Sequence, residues 1–177
     1  VRAWQAHTGV ADQGTLLVGF SQGAIMALES TQSGTPLAGR VVSLSGRFGQ
    51  DPDVVPATTV LHFFHGKNDA VIHYGYTVRA AERLVRLGAD VTADVLPHLG
   101  HEVNDAVVEK LLERLTTYVP QRYWRAAQDA AAAGEALQRP VARRNADVGV
   151  GQRHEHAGAK AQRLARLVGK IHRENQH

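Results

Sequence analysis

Residues 15–28 read T-L-L-V-G-F-S-Q-G-A-I-M-A-L, and the turn in their middle decides the fold. Leu16, Leu17 and Val18 form a continuous apolar run of the kind a fully buried parallel strand shows, and residues 24–28 read as the Gly- and Pro-free start of a helix. Between them lies G-F-S-Q-G. A strand can pass into a helix within so short a segment only if small residues flank the turn, and Gly19 and Gly23 supply that smallness. The apex residue, Ser21, is then forced outward with its hydroxyl free to attack a carbonyl, which is the geometry of a nucleophile elbow. Alone, G-x-S-x-G also occurs by chance in ordinary Gly-rich loops, so its meaning depends on the partners that the downstream residues supply.

The rest of the composition is compatible with that chemistry. A chain of 177 residues with 44% hydrophobic content can hold one domain with a sizeable core. No apolar run approaches the ~18 residues of a membrane span, and the start lacks the basic, apolar and small-residue pattern of a leader, so the expectation is a cytoplasmic protein. The absence of cysteine excludes disulfides, thiolate catalysis and Cys-based zinc sites, leaving serine as the natural nucleophile. Charge is uneven. Residues 1–127 hold 11 Lys+Arg against 12 Asp+Glu, whereas residues 128–177 hold 9 against 5, so the basic balance comes from the end of the chain.

Outward from the elbow, strands and helices alternate. Residues 1–14 read as the end of a helix leading into the first strand. The elbow helix fades at the turn signals of 31–36, and 40–46 (R-V-V-S-L-S-G) reads as a second buried strand. Residues 51–56 are loop. A third strand, β-branched and aromatic, is expected at 58–64, followed by H-G-K-N-D-A-V-I. Residues 74–87 are helical, with Val78, Ala81, Leu84, Val85 and Leu87 near a 3.6-residue period and Gly88 as the C-terminal cap. A fourth strand at 91–96 feeds P-H-L-G-H-E. An amphipathic helix at 103–119 sets Val107, Leu111, Leu112 and Leu115 against Glu109, Lys110, Glu113 and Arg114. Such alternation gives an α/β fold with a mostly parallel sheet, right-handed crossovers and flanking helices.

From about residue 128 the character changes. An alanine run (130–133), a basic stretch with a proline (139–144) and a Gly-rich segment with His154 and His156 precede Leu164, Leu167, Val168 and Ile171 on one helical face. The expectation is an α/β domain at 1–127 and a basic, low-complexity tail at 128–177, flexible or helical in part.

Two further residues complete the chemistry of Ser21. In an α/β-hydrolase the acid and the histidine lie after late strands, in loops at their carboxyl ends. Asp69 follows the third strand and His101 the fourth, giving the order Ser, Asp, His that this fold requires. Ser21 is a poor nucleophile at neutral pH, so His101 is expected to take its proton and later give it to the leaving group, with Asp69 orienting the imidazole. The backbone N–H of Gln22 is the expected oxyanion donor. Asp51, Asp53, Asp90 and Asp94 are the other carboxylates available, and His98 competes as the base. Pro97 before it and the freer backbone at Gly100 favour His101. His62 and His65 belong to a strand end and read as structural. His154 and His156 read as unliganded, since nothing near them completes a metal site.

Four blocks carry a family resemblance: G-F-S-Q-G-A at 19–24, L-S-G at 44–46, H-G-K-N-D-A-V-I at 65–72 and G-H-E at 100–102. Together they resemble the phospholipase/carboxylesterase family of serine hydrolases, a group that includes acyl-protein thioesterases and small bacterial esterases. The likeness covers roughly residues 13–120. It implies an α/β-hydrolase that cleaves small-molecule carboxylic esters or thioesters without metal or cofactor, with Ser21, Asp69 and His101 matching the family triad.

The resemblance also implies strands before the elbow and an upstream loop carrying a second oxyanion donor, for which about a dozen residues leave no room. The expectation is therefore the C-terminal half of the sheet, with an elbow strand presenting an unpaired apolar edge. Loss of an oxyanion donor costs roughly 100- to 1,000-fold in turnover, so this chain by itself is expected to be weakly active or inactive. The basic tail lies outside the family motifs and reads as a misread frame or an unrelated appendage. A different class of function is a catalytically impaired remnant that keeps the fold as an interaction module. A third, nucleic-acid binding by the tail, has little support, because the tail's charge excess is modest and aromatics are not interleaved with it.

Overall fold

The computed structural model describes residues 1–138. The expected elements at 154, 156 and 164–171 lie outside them. The chain divides into a unit Val1–Tyr118 and a unit Val119–His177.

In the first unit, four parallel strands stand in the order of the sequence: β1 (Leu16–Phe20), β2 (Arg40–Leu44), β3 (Val60–Gly66) and β4 (Val91–Leu96). Register is fixed pair by pair, with Phe20 opposite Leu44, Leu44 opposite Phe64, and Gly66 opposite Leu96. The strands' carboxyl ends therefore finish at one side of the sheet. Helices α1 (Arg2–Thr8), α2 (Gln22–Glu29), α3 (Gly75–Arg86) and α4 (Asp105–Thr117) complete the unit. The second unit contains α5 (Gln121–Gln138), which runs through position 128.

Alternation along the central strands separates two apolar layers. Val41, Leu61 and Phe63 pack with Leu28 of α2 and with Ala80, Ala81 and Leu84 of α3. Val42, Leu44 and Phe64 point the other way and pack with Leu99 and Val107, with Leu111 and Leu115 of α4 at the margin. All seven residues of β3 are buried, because helices cover both of its faces.

The first strand departs from its expected burial. Leu16, Val18 and Phe20 are 41%, 52% and 40% exposed, while Leu17 packs against the apolar layer that includes Leu28 of α2. Two causes combine. Among the described residues β1 pairs with β2 alone, and α4 lies over the inner strands, leaving the opposite face of β1 open. The expected edge is thus present, and the expected full burial is not.

Smaller differences have local reasons. The Asn104 side chain accepts from the Val107 N–H at 3.2 Å, so α4 starts after residue 103. Leu112 is 55% exposed, since the buried stripe of α4 runs through Val107, Leu111 and Leu115 only. Gly88, just past α3, has φ +88, the left-handed value its expected capping place requires. Among the described residues no helix is long and apolar enough to cross a membrane.

Candidate active site

Ser21 stands between β1 and α2 with φ 52 and ψ −117, a backbone state that costs a non-Gly residue roughly 1–3 kcal/mol. Hydrogen bonds on both sides hold it there: its N–H donates to Leu44 O at 2.9 Å, and its C=O accepts from Ile25 N at 3.1 Å. The turn is tight because α2 lies directly on β1. A Cβ at Gly19 would collide with the backbone of Gly23 and Ala24. Gly23 differs from expectation, since a Cβ there would meet nothing within 4 Å. Of the two glycines, only Gly19 has to be small among the described residues.

The loops after β3 and β4 are tied together. Lys67 N–H donates to Leu96 O and Asn68 N–H to Leu99 O, each at 2.9 Å. Gly66 permits this contact, because a side chain there would strike the carbonyls of Leu99 and Gly100. The result places Asp69, at the end of one loop, beside His101, at the end of the other.

The three expected residues meet in one line. His101 Nε2 lies 2.9 Å from Ser21 Oγ, and His101 Nδ1 lies 2.8 Å from Asp69 Oδ2. The Asp69 side chain is wholly buried and that of His101 is 17% exposed. Burial alone would push the Asp69 carboxyl up, but hydrogen bonds from His101, from Ile72 N–H and from Val71 N–H hold it below the ordinary carboxylate range. The carboxylate is therefore charged and accepts the Nδ1–H of His101, leaving Nε2 as the acceptor of a hydrogen bond from the Ser21 hydroxyl. Gln22 opens α2, so its N–H is among the first amides of that helix and has no partner within it.

The competing residues are placed elsewhere or engaged otherwise. His98 is exposed and takes φ 64, so the left-handed residue of this loop is His98 and not Gly100. Asp94 makes a bidentate pair with Arg114, Asp51 an exposed pair with Arg79, and Asp90 accepts the Tyr118 hydroxyl; Asp53 is exposed. His62 is buried under α4, with Nδ1 2.8 Å from Thr92 Oγ1.

Two neighbours of the line were not expected from the sequence. The ring of Phe20 lies 5.0 Å from that of His101, at 38°. His65, expected as strand structure only, brings Nε2 to 3.2 Å from Asp69 Oδ2. The signal for His65 was the four-residue spacing of H-G-K-N-D across the end of a strand.

The sheet order, the strained serine after β1 and the Ser-His-Asp line define the chain as an α/β-hydrolase. Residues 1–119 match the family described as Phospholipase/Carboxylesterase, and the chain belongs to it. It is 40% identical over 124 residues to Esterase YpfH of Escherichia coli (strain K12), covering 70% of this chain and 53% of that protein. It is 28% identical over 123 residues to mouse Lysophospholipase-like protein 1, covering 66% and 52%. Among solved structures, esterase PE8 superposes with a TM-score of 0.59 at 24% identity, over 67% of this chain and 56% of that one, a likeness of fold. The chain thus spans about half the length of the curated relatives it matches.

Proposed function

We propose that this chain carries the catalytic triad of a serine hydrolase that cleaves carboxylic esters, thioesters included, through an acyl-serine intermediate. The observation that supports this most is the unbroken line from Ser21 Oγ through His101 to a buried Asp69.

The chemistry is set by the donors and acceptors in that line. Ser21 Oγ attacks the ester carbonyl carbon as its proton passes to His101 Nε2, and Asp69 stabilises the imidazolium that forms. Negative charge moves to the substrate oxygen, where the Gln22 N–H and the positive end of α2 oppose it. As the carbonyl reforms, the bond to the leaving alcohol or thiol breaks, and His101 returns the proton to that group. Water then attacks the acyl-serine with His101 again as base, releasing the acid and restoring Ser21. None of these steps draws on a metal or cofactor.

A second reading, a non-catalytic relative that uses the fold as an interaction module, has one observation in its favour: the apolar open face of β1 at Leu16, Val18 and Phe20. A fluorophosphonate probe separates the two readings. Labelling of Ser21 that disappears in both Ser21→Ala and His101→Ala is the result expected of the hydrolase. A folded chain with no labelling contradicts it and favours the module.

A further inference from the structure

His65 ends the buried run of β3 on the side of α3, and both of its ring nitrogens have partners. Nε2 lies 2.7 Å from Ile72 O and 3.2 Å from Asp69 Oδ2. Both partners are acceptors, so Nε2 must carry the proton. Nδ1 lies 2.8 Å from Thr77 Oγ1, on α3. Burial pushes the His65 ring toward its neutral form, which makes Nδ1 an acceptor and the Thr77 hydroxyl its donor. The same hydroxyl is 3.4 Å from Gly46 O, too long to compete well for that proton.

Ile72 joins this pair to the acid. Its N–H donates to Asp69 Oδ1 at 2.8 Å, beside the Val71 N–H at 2.9 Å, while its C=O is the group that His65 holds. Asp69 Oδ1 is thus fixed by the backbone of its own turn, and that turn is fixed by His65. Asp69 Oδ2 faces two imidazoles, His101 at 2.8 Å and His65 at 3.2 Å. Rotation of the carboxylate away from His101 would break contacts with Val71, Ile72 and His65 together.

We propose that His65 is a positioning residue of the triad: with its Nδ1 held by the Thr77 hydroxyl, its Nε2–H holds the 69–72 turn beside Asp69 Oδ2 and so keeps the carboxylate in the orientation that receives the His101 Nδ1–H. It touches neither substrate nor the proton in transfer. The inference rests on the hydrolase reading of Ser21, Asp69 and His101.

The test uses the full chain and two readouts: the downfield proton resonance of the His101 Nδ1–H, which needs no turnover, and the kinetics of Ser21 phosphonylation by a fluorophosphonate. His65→Gln keeps a donor and an acceptor, His65→Leu keeps neither, and Thr77→Val removes only the hydroxyl donor. The expected result is that His65→Leu loses the resonance and its maximal phosphonylation rate falls by about tenfold or more, with probe affinity unchanged. His65→Gln is expected to keep the resonance and to stay within about threefold of the wild-type rate, and Thr77→Val to fall between them. A purely structural role would lower Tm while leaving the resonance and the maximal rate of the folded protein in place. Folded His65→Leu with wild-type resonance and rate overturns the inference. Should that variant not fold, Thr77→Val decides, and an unmoved resonance and rate overturn it equally. A wild-type chain with neither resonance nor phosphonylation overturns the triad reading itself and the inference with it.

Discussion

Asp69 presents a wholly buried carboxylate to His101 at 2.8 Å, although the two residues come from loops after different strands. An isolated charge at that depth would be costly, and three donors offset the cost: His101 and the N–H groups of Val71 and Ile72, with His65 Nε2 3.2 Å from the same carboxylate. Asp69→Asn should keep most of these contacts in shape while removing the charge that stabilises imidazolium. The expected result is a loss of roughly 10³- to 10⁴-fold in Ser21 acylation at neutral pH, by stopped-flow measurement with an activated ester. A loss of less than about tenfold would remove Asp69 from the triad.

His62 makes stability depend on acidity. Burial, with the charges of Arg40 and Arg114, lowers its pKa from 6.5 to about 4. The unfolded chain binds the proton more readily than the folded one between these values. The contribution is therefore complete above about pH 6.5 and is lost as pH falls toward 4, by at most about 3 kcal/mol. Urea denaturation at pH 7 and at pH 4.5 should show this loss in the wild type and a flatter profile in His62→Leu. Parallel profiles for the two proteins would assign the acid sensitivity to other groups.

Gly19 and Gly23 should respond oppositely to alanine. At Gly19 the added Cβ meets the backbone of Gly23 and Ala24, so Gly19→Ala must push α2 off β1 and is expected to cost more than about 3 kcal/mol. At Gly23 the space is open and the residue is helical, so Gly23→Ala is expected to be neutral or to stabilise by up to about 1 kcal/mol. Thermal unfolding of the two variants checks the pair. Equal destabilisation would contradict the packing described.

The open face of β1 has a consequence in solution. Its apolar residues, and an edge left unpaired among the described residues, form a template for association. Val18→Lys places a charge where the side chain is already 52% exposed, and so should reduce concentration-dependent self-association in light scattering with little change in Tm. Unchanged association would locate the contact elsewhere.

These contrasts mark how much was legible in the sequence. The β-branched and aromatic run of β3, the alternation of elements and the order Ser21, Asp69, His101 all carry local or topological signals, and the fold class followed from them. Burial of β1 did not, because an apolar run is the same string at the centre of a sheet and at its edge; what covers it is a non-local fact. Leu112 failed for a related reason: the period of α4 places it near the apolar stripe, but the width of that stripe is set by the sheet beneath. His65 lay in plain view within H-G-K-N-D. Its contact with Asp69 was hidden because it forms only when the turn of residues 69–72 folds back onto the strand end, which no local pattern announces. The Gly23 expectation came from the motif, whereas the space around it depends on what stands over α2.

The central claim is that Ser21 forms a covalent acyl intermediate. The most direct measurement is mass spectrometry of the chain quenched during exposure to an activated acetate ester, with peptide mapping of any acetyl group. The account predicts acetyl on Ser21 in the wild type, with none at that position in Ser21→Ala and little in His101→Ala. A folded wild-type chain that carries no acetyl on Ser21, or carries as much when His101 is alanine, would contradict it.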